Sequence, residues 1–401
     1  MNIFEKCYDR LFQKTLFIAQ RVIKFRVPEI KNRIEDIPVI LKEHKVTHPL
    51  VVSDKIVSTL PRFIDLAEEL KLKGFEFNLF TDIKPDPTFE EIDSIVKVYK
   101  ENNCDSIIAV GGGSTIDAAK AMGLLVTYPN KKLNNFRGML KVHKSLPLFI
   151  ALPTTAGTGS EATVASVVTN QENGDKFAIN DPHLIPHYAI LDDTFLDQLP
   201  KQVIGTTGMD AFTHALEAYI GKSSTKFTRE MSIKSIKLIK DNLYPFYENN
   251  KNDETRKKML EASFYAGVSF TRAYVGYVHA LAHAVGGTYH KAHGYCIAIL
   301  LPYVLEAFGK SAYKKLAEVS DAMELVNISC QDEEKAKAVL SWIKEMNEKM
   351  NIPSSFEGLI EDKDLDNLAR HAAKEANPWY PVPKLFSWKK LKDILIRSNG
   401  K

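Results

Sequence analysis

The sequence predicts an α/β domain built on a parallel sheet, followed by an all-α domain. Three observations carry this. From about residue 45, short apolar runs alternate with longer amphipathic ones. One of those runs ends in a three-glycine turn that opens a helix. Beyond about residue 195 the texture changes to long helical periodicity with few β-branched clusters. At 401 residues, 45% of them apolar, the chain exceeds a single core and has material for two. The expected division is a basic amphipathic helix over 1–33, an α/β domain over 34–194 and a helical domain over 195–401.

Residues 1–33 carry eight Lys/Arg and three Asp/Glu, a local +5, whereas the whole chain is +3, so the remainder is −2. Phe4, Tyr8, Leu11, Ile18, Val22 and Phe25 recur at spacings that make a helical stripe ending before Pro28. Such a stripe packs on its own domain or a sister subunit; the alternative is attachment to an anionic membrane surface or another protein. The apolar run 16–19 is too short for a signal or a span, and Asp9, Arg10, Lys14 and Arg21 interrupt its surroundings. Next come Pro49–Val52, a helical pattern over 56–72, a strand over 75–80, a helix over 88–102 capped by Thr88, and a strand over 106–110. That is βαβαβ, and 146–152 reads as a further strand. The near balance of 53 basic and 50 acidic residues gives no field to hold nucleic acid. Four scattered cysteines without a CxxC pair fit a reducing, cytoplasmic setting rather than a disulfide framework.

Gly111, Gly112 and Gly113, followed by Ser114, join a strand to a helix. Glycines let backbone approach a ligand closely, and the helix N-terminus offers unpaired N–H groups and a positive dipole end, which together suit a pyrophosphate. Tight packing of helix on sheet also selects glycine. Asp54, at the end of the first strand, either accepts from the hydroxyls of an adenosine ribose and repels a 2′-phosphate, or simply forms a turn. The loop 153–161, rich in Thr, Gly and Ser, either lines a cofactor or is a plain turn.

Asp210 and His214 stand four apart on one helical face, and His279, His283 and His293 cluster within fifteen residues of one another. Either pair alone is a weak signal. Together, amid Ala, Leu, Val and Gly that would bury them unpaired, they point to a divalent transition ion such as Fe²⁺ or Zn²⁺.

These motifs, in this order, resemble those of the iron-containing (group III) alcohol dehydrogenases, a family grouped with glycerol dehydrogenase and dehydroquinate synthase. The likeness runs from about residue 45 to about 385. It implies a Rossmann-like domain, an all-helical domain, and a cleft between them holding NAD and a divalent metal, Fe²⁺ or alternatively Zn²⁺. It implies Asp210, His214, His279 and His293 as ligands and His283 as a histidine near the nicotinamide that is not a ligand; an imidazole there is either a proton relay, since it titrates near working pH, or a buried structural histidine. It places Asp54, Gly111, Gly112, Gly113, Ser114, Thr154, Thr155, Thr158 and Lys176 around the dinucleotide, and Phe270 in the substrate pocket. The Pro usual before the last ligand is Ala292 here, and the pocket stretch 270–274 is bulky and polar, with Arg272 either exposed at the surface or meeting a polar or anionic substrate group. The activity implied is hydride transfer between NAD(H) and a small alcohol, aldehyde or ketone. A polyol or hydroxy-acid dehydrogenase, or a silent metal-binding scaffold recruited through the N-terminal helix, is the alternative. A homodimer is expected, without nucleic acid.

Overall fold

The computed structural model describes residues 1, 3–23, 25–172 and 175–400; the side chains of residues 19–22, Val22 of the expected stripe among them, lie outside that description. Two compact units form, one from residues 1–24 with 200–401 and one from 25–199. Helix α1 (Ile3–Val22) belongs to the first. It docks through a mixed face. Arg10 donates to the carbonyls of Val382 at 2.8 Å and Pro383 at 3.1 Å, Gln13 donates to that of Tyr380 at 2.8 Å, and Phe12 meets Trp379 edge-on at 4.9 Å. Phe4, Tyr8, Leu11 and Ile18 are exposed. The expected packing of this stripe on its own domain is therefore corrected: carbonyls of an irregular segment need donors, and Arg10 and Gln13 supply them. The helix ends at Val22, before Pro28 as expected; the expected 1–33 segment is too long, because 29–31 form a strand and Phe25, half-buried, lies in the other unit.

In the α/β unit, strands β1 (Glu29–Lys31), β2 (Pro49–Val52), β3 (Asn78–Phe80) and β4 (Ser106–Gly111) alternate with helices α2 (Ile37–Glu43), α3 (Pro61–Leu72) and α4 (Phe89–Glu101). After β4 come α5 (Gly113–Thr127), β5 (Gly138–Met139), β6 (Leu148–Pro153), β7 (Ala165–Asn170), β8 (Asp175–Asn180) and β9 (Tyr188–Ile190). Six strands form a wholly parallel sheet in the order β1-β9-β6-β4-β2-β3. Its interior strands β2 and β4 are buried along their whole length, as a sheet covered on both faces requires. Thr88 caps α4 as expected: its Oγ1 accepts from Glu91 N–H at 3.2 Å and Glu91 accepts from Thr88 N–H at 2.9 Å.

The strand order reverses between β2 and β4, and the register pairs Gly111 with Pro153 and Val52 with Ala109. Asp54, the glycine turn and the 153–161 loop thus leave the carboxyl ends of three adjacent strands, where open α/β sheets bind ligands. A smaller sheet, β5-β8-β7, was not expected; β5 has two residues, and β7 and β8 are too rich in Ser, Thr, Asn and Lys to show an apolar run.

A buried polar knot pins the 153–161 loop to α5. Lys120, wholly buried among alanines, points its Nζ at the carbonyls of Ser160 (2.7 Å), Thr163 (3.0 Å) and Ala165 (2.7 Å) and at the hydroxyls of Ser160 (3.1 Å) and Thr163 (2.9 Å). Asp117 accepts from Ser160 Oγ at 2.6 Å and from Val167 N–H at 2.9 Å. Glu161 beside them is buried, and neither carboxyl oxygen has a hydrogen-bond partner among the described residues. Burial pushes its carboxyl up to about 7, against the pull of the Lys120 ammonium.

The other unit is helical throughout: α6 (Lys201–Ile220), α7 (Lys226–Glu248), α8 (Asp253–Ala273), α9 (Tyr277–Tyr289), α10 (His293–Phe308), α11 (Lys310–Met323), α12 (Asp332–Lys349), α13 (Leu365–Ala376) and α14 (Trp388–Ser398), joined to α1. Helix α6 is buried almost all round from Ile204 to Ile220, the pattern of a central core helix. No single helix among the described residues is long and apolar enough to cross a membrane.

Glu161 generates a pH prediction. An unfolded Glu loses its proton near 4.5 while folded Glu161 keeps it to about 7, so across that window the folded state binds more protons and stability falls as pH rises. Glu161→Gln removes this term. Urea unfolding at a series of pH values is expected to show the variant gaining about 3 kcal/mol on the wild type across the window; a difference independent of pH would contradict it.

Candidate metal centre

The centre lies wholly within the helical unit and begins with α6, whose buried face carries Asp210, His214 and Glu217 at i, i+4 and i+7. Helix α9 supplies His279 and His283, and α10 begins at His293. Asp210, His279 and His293 each offer a ligand atom, and the three atoms lie within 4.8 Å of one another. Asp210 Oδ1 is 3.5 Å from His293 Nε2 and 3.6 Å from His279 Nε2. His214 is not in that trio, but its Nδ1 is 3.7 Å from the same oxygen, and its ring packs 4.3 Å from that of His279. Phe270 stacks on the far side of His214 at 4.1 Å.

These separations are too long for good hydrogen bonds and suit donor atoms facing a common point. Among the described residues, Asp210 Oδ1 and His279 Nε2 are buried without a hydrogen-bond partner. Such groups are costly unless something completes them. The donor set, one carboxylate and imidazole nitrogens, fits a divalent transition ion, and the orphaned atoms face its place. Burial raises the Asp210 carboxyl, but the imidazoles of His214, His293 and His279 outweigh that and hold it well below the usual carboxylate value. Burial lowers His279, but Asp210 and Glu217 outweigh that and lift it to about 9. Two carboxylates thus draw positive charge to this spot.

Glu217, a residue the sequence reading missed, fixes the geometry. Its Oε2 accepts from His279 Nδ1 at 2.6 Å and from Gly276 N–H at 2.7 Å, and its Oε1 accepts from Val278 N–H at 2.9 Å. One side chain therefore caps α9 and sets the tautomer of His279, leaving Nε2 to face Asp210. A Cβ at position 276 would stand 2.5 Å from Glu217 Oε1, so glycine is required there. At Gly294 a Cβ would meet the Thr206 carbonyl oxygen at 2.5 Å, so the glycine after His293 lets α10 start directly against α6. The available signal for Glu217 was its i+7 position on the Asp210–His214 face.

His283 stands beside the trio, its ring stacked on His293 at 5.1 Å and a third of its side chain exposed. Its Nδ1 donates to Glu375 Oε1 at 2.7 Å, which also accepts from Tyr380 at 2.8 Å. Burial raises Glu375, but His283 and Tyr380 outweigh it and keep the carboxyl low. The Arg272 guanidinium donates to Val268 O at 2.7 Å and lies over Phe227 at 5.3 Å.

In the α/β unit, no side chain among the described residues caps α5, whose N-terminus follows Gly112. Gly113 faces Thr158 so closely that a Cβ would come within 2.9 Å of it, which seats the glycine turn on the threonine loop. Thr154 is buried, its N–H bonded to the Gly111 carbonyl at 3.1 Å, while Ser114, Thr155 and Thr158 are half-buried. Asp54 Oδ1 accepts from Ile56 and Val57 N–H, both at 2.9 Å, so this residue does form a turn. Lys176 pairs with Asp86 on the surface.

Comparison with known proteins agrees with this picture. Residues 29–193 match the model of the iron-containing alcohol dehydrogenase family, and residues 204–398 match that of the Fe-containing alcohol dehydrogenase family, C-terminal. Alcohol dehydrogenase 4 of Saccharomyces cerevisiae is 33% identical over 363 residues, covering 88% of this chain and 93% of that protein. The NAD-dependent methanol dehydrogenase of Bacillus methanolicus is 29% identical over 346 residues, covering 86% and 91%. Among solved structures, an alcohol dehydrogenase from Oenococcus oeni superposes with a TM-score of 0.89 at 31% identity, covering 94% of this chain and 99% of that one.

The metal centre yields one prediction. Glu217→Gln keeps the size of the side chain but weakens its hold on His279, so chelator competition on the folded protein is expected to show metal affinity lowered by roughly 10- to 100-fold. Unchanged affinity would remove Glu217 from the site's support.

Proposed function

Since the chain belongs to the iron-containing alcohol dehydrogenase family, we propose that it transfers a hydride between NAD(H) and the carbonyl carbon of a small aldehyde or ketone, interconverting it with a primary or secondary alcohol. The observation that carries this reading is the buried, orphaned Asp210 oxygen surrounded by imidazoles. Asp210, His214, His279 and His293 would hold the ion, Fe²⁺ or alternatively Zn²⁺, which when bound supplies Lewis acidity toward the substrate oxygen. NAD(H) supplies the hydride chemistry.

The chain's own residues do the rest. Glu217 holds the His279 ring in one orientation. His283, its Nδ1 proton held by Glu375, presents Nε2 as the atom that takes and gives the alcohol proton, and its partial exposure opens it to solvent. Phe270, stacked on His214, bounds the space for the substrate's carbon chain. The uncapped α5 N-terminus after Gly111–Gly112–Gly113, with Ser114, Thr154, Thr155 and Thr158 beside it, binds the pyrophosphate. Lys176 joins that set if its surface partner Asp86 releases it.

Relatives differ in cofactor: the methanol dehydrogenase is described as NAD-dependent, while a butanol dehydrogenase of Clostridium saccharobutylicum, 34% identical over 289 residues, is described as NADPH-dependent. Asp54 favours NAD here, because a carboxylate at the end of β2 repels a 2′-phosphate. A diol substrate is the second reading, favoured by the 1,3-propanediol dehydrogenase of Klebsiella pneumoniae, 33% identical over 311 residues, covering 77% of this chain.

The direct test is oxidation of NADH with short aldehydes by anaerobically purified protein reconstituted with Fe²⁺ or Zn²⁺. Turnover is expected with metal and its loss in His279→Ala; full activity of that variant would overturn the assignment. Asp54→Ser is expected to raise the kcat/KM ratio for NADPH over NADH by about tenfold, a shift of about 1.4 kcal/mol. An unchanged ratio would leave Asp54 with its turn alone.

A further inference from the structure

Helix α1 docks through a mixed face, with Asp9 and Gln13 buried and Phe12, Leu16 and Phe17 half-buried, and turns a second apolar face outward. Arg10 and Gln13 bond to carbonyls of the 380–383 segment. On the opposite side Ile3, Phe4, Tyr8, Leu11 and Ile18 are 72, 82, 61, 64 and 62% exposed. At 100° per residue these five share one face, with exposed Cys7 and Thr15 between them. The result is an uncovered apolar stripe on a helix about 30 Å long.

Charge says what covers it. Lys14 is exposed within the outward face, between Ile3 and Ile18, and Lys6 is exposed beyond Ile3 at that face's edge. Lys222, whose backbone N–H bonds to the Pro381 carbonyl, and Lys384 are exposed beside the segment on which α1 docks. Glu5 is the one exposed acid among the described residues of the helix, since Asp9 is buried. Trp379, 41% exposed, stands edge-on to Phe12 at the flank, the kind of side chain that seats at a lipid headgroup level. Helix α1 itself holds Lys6, Arg10, Lys14 and Arg21 against Glu5 and Asp9, a net +2. Two-fold pairing of this stripe with a second copy would bring two such cationic faces together, whereas an anionic surface neutralises them.

We propose that α1 rests on an anionic lipid surface, with Phe4, Leu11 and Ile18 entering the acyl boundary and Lys6 and Lys14 meeting lipid phosphates. The helix lies on the surface and does not span it. It falls outside the residues matched by the family models, 29–193 and 204–398, so this attachment is separate from the metal centre. One stripe and a few cations give reversible binding.

The test is co-sedimentation of the full chain with phosphatidylcholine vesicles, with and without phosphatidylserine, at low and high salt. Binding to the phosphatidylserine vesicles is expected to exceed that to phosphatidylcholine alone by about tenfold or more and to fall with salt. Phe4→Ser/Leu11→Ser and Lys6→Gln/Lys14→Gln are each expected to lower it by about tenfold. All four side chains are exposed, so unchanged circular dichroism is expected to accompany the loss. The proposal is overturned by equal sedimentation of wild type and Phe4→Ser/Leu11→Ser, or by equal binding to both vesicle types. It is equally overturned if light scattering shows a dimer that Phe4→Ser/Leu11→Ser dissociates while no vesicle binding is seen, which would give the stripe to a second copy.

Discussion

The helical unit is organised around one buried carboxylate oxygen, Asp210 Oδ1, that makes no hydrogen bond among the described residues and is ringed by three imidazoles at 3.5–3.7 Å. A carboxylate in that position is tolerable only if positive charge joins it. The surrounding sequence serves that constraint. Glu217 orients His279 and caps α9, Gly276 makes room for Glu217, and Gly294 lets α10 begin against the backbone of α6 so that His293 reaches the same oxygen. Each is a packing feature with a chemical purpose: helix termini and close approaches fix ligand atoms on rigid elements.

The α/β unit solves a different problem by the same means. Its glycine turn and threonine loop emerge from paired strand ends, Gly111 against Pro153, and are fixed in place. Lys120 does the fixing from below, gathering five oxygens of residues 160–165 around one ammonium. Such a network rigidifies because its members are hydrogen-bonded to one another, while Glu161 next to it has no hydrogen-bond partner among the described residues and burial pushes its carboxyl up to about 7.

Much of this was legible in the sequence. The parallel sheet showed itself because its interior strands are continuous apolar runs, and the change to helical texture near 195 lies within a few residues of the division at 199–200. Asp210, His279 and His293 were visible because polar ligands stand out in an apolar helix, and they do converge. What the sequence concealed are partners whose meaning is positional. Glu217 and Glu375 read as ordinary helical acids until their histidines are seen beside them. Lys120 within an alanine run was a sign of a buried cation that went unread. The small sheet β5-β8-β7 lacks an apolar signature, and α1 was legible as an amphipathic helix but not in the face it turns to its own domain, which the unsatisfied carbonyls at 380–383 decide.

The central claim is that one divalent ion completes the Asp210 cluster. X-ray absorption at the metal edge of anaerobically purified protein tests it most directly. The account predicts about one ion per chain, a shell of oxygen and nitrogen only with the scattering pattern of imidazole, and its disappearance in Asp210→Asn. A shell containing sulfur, or an unaltered spectrum in Asp210→Asn, would contradict it.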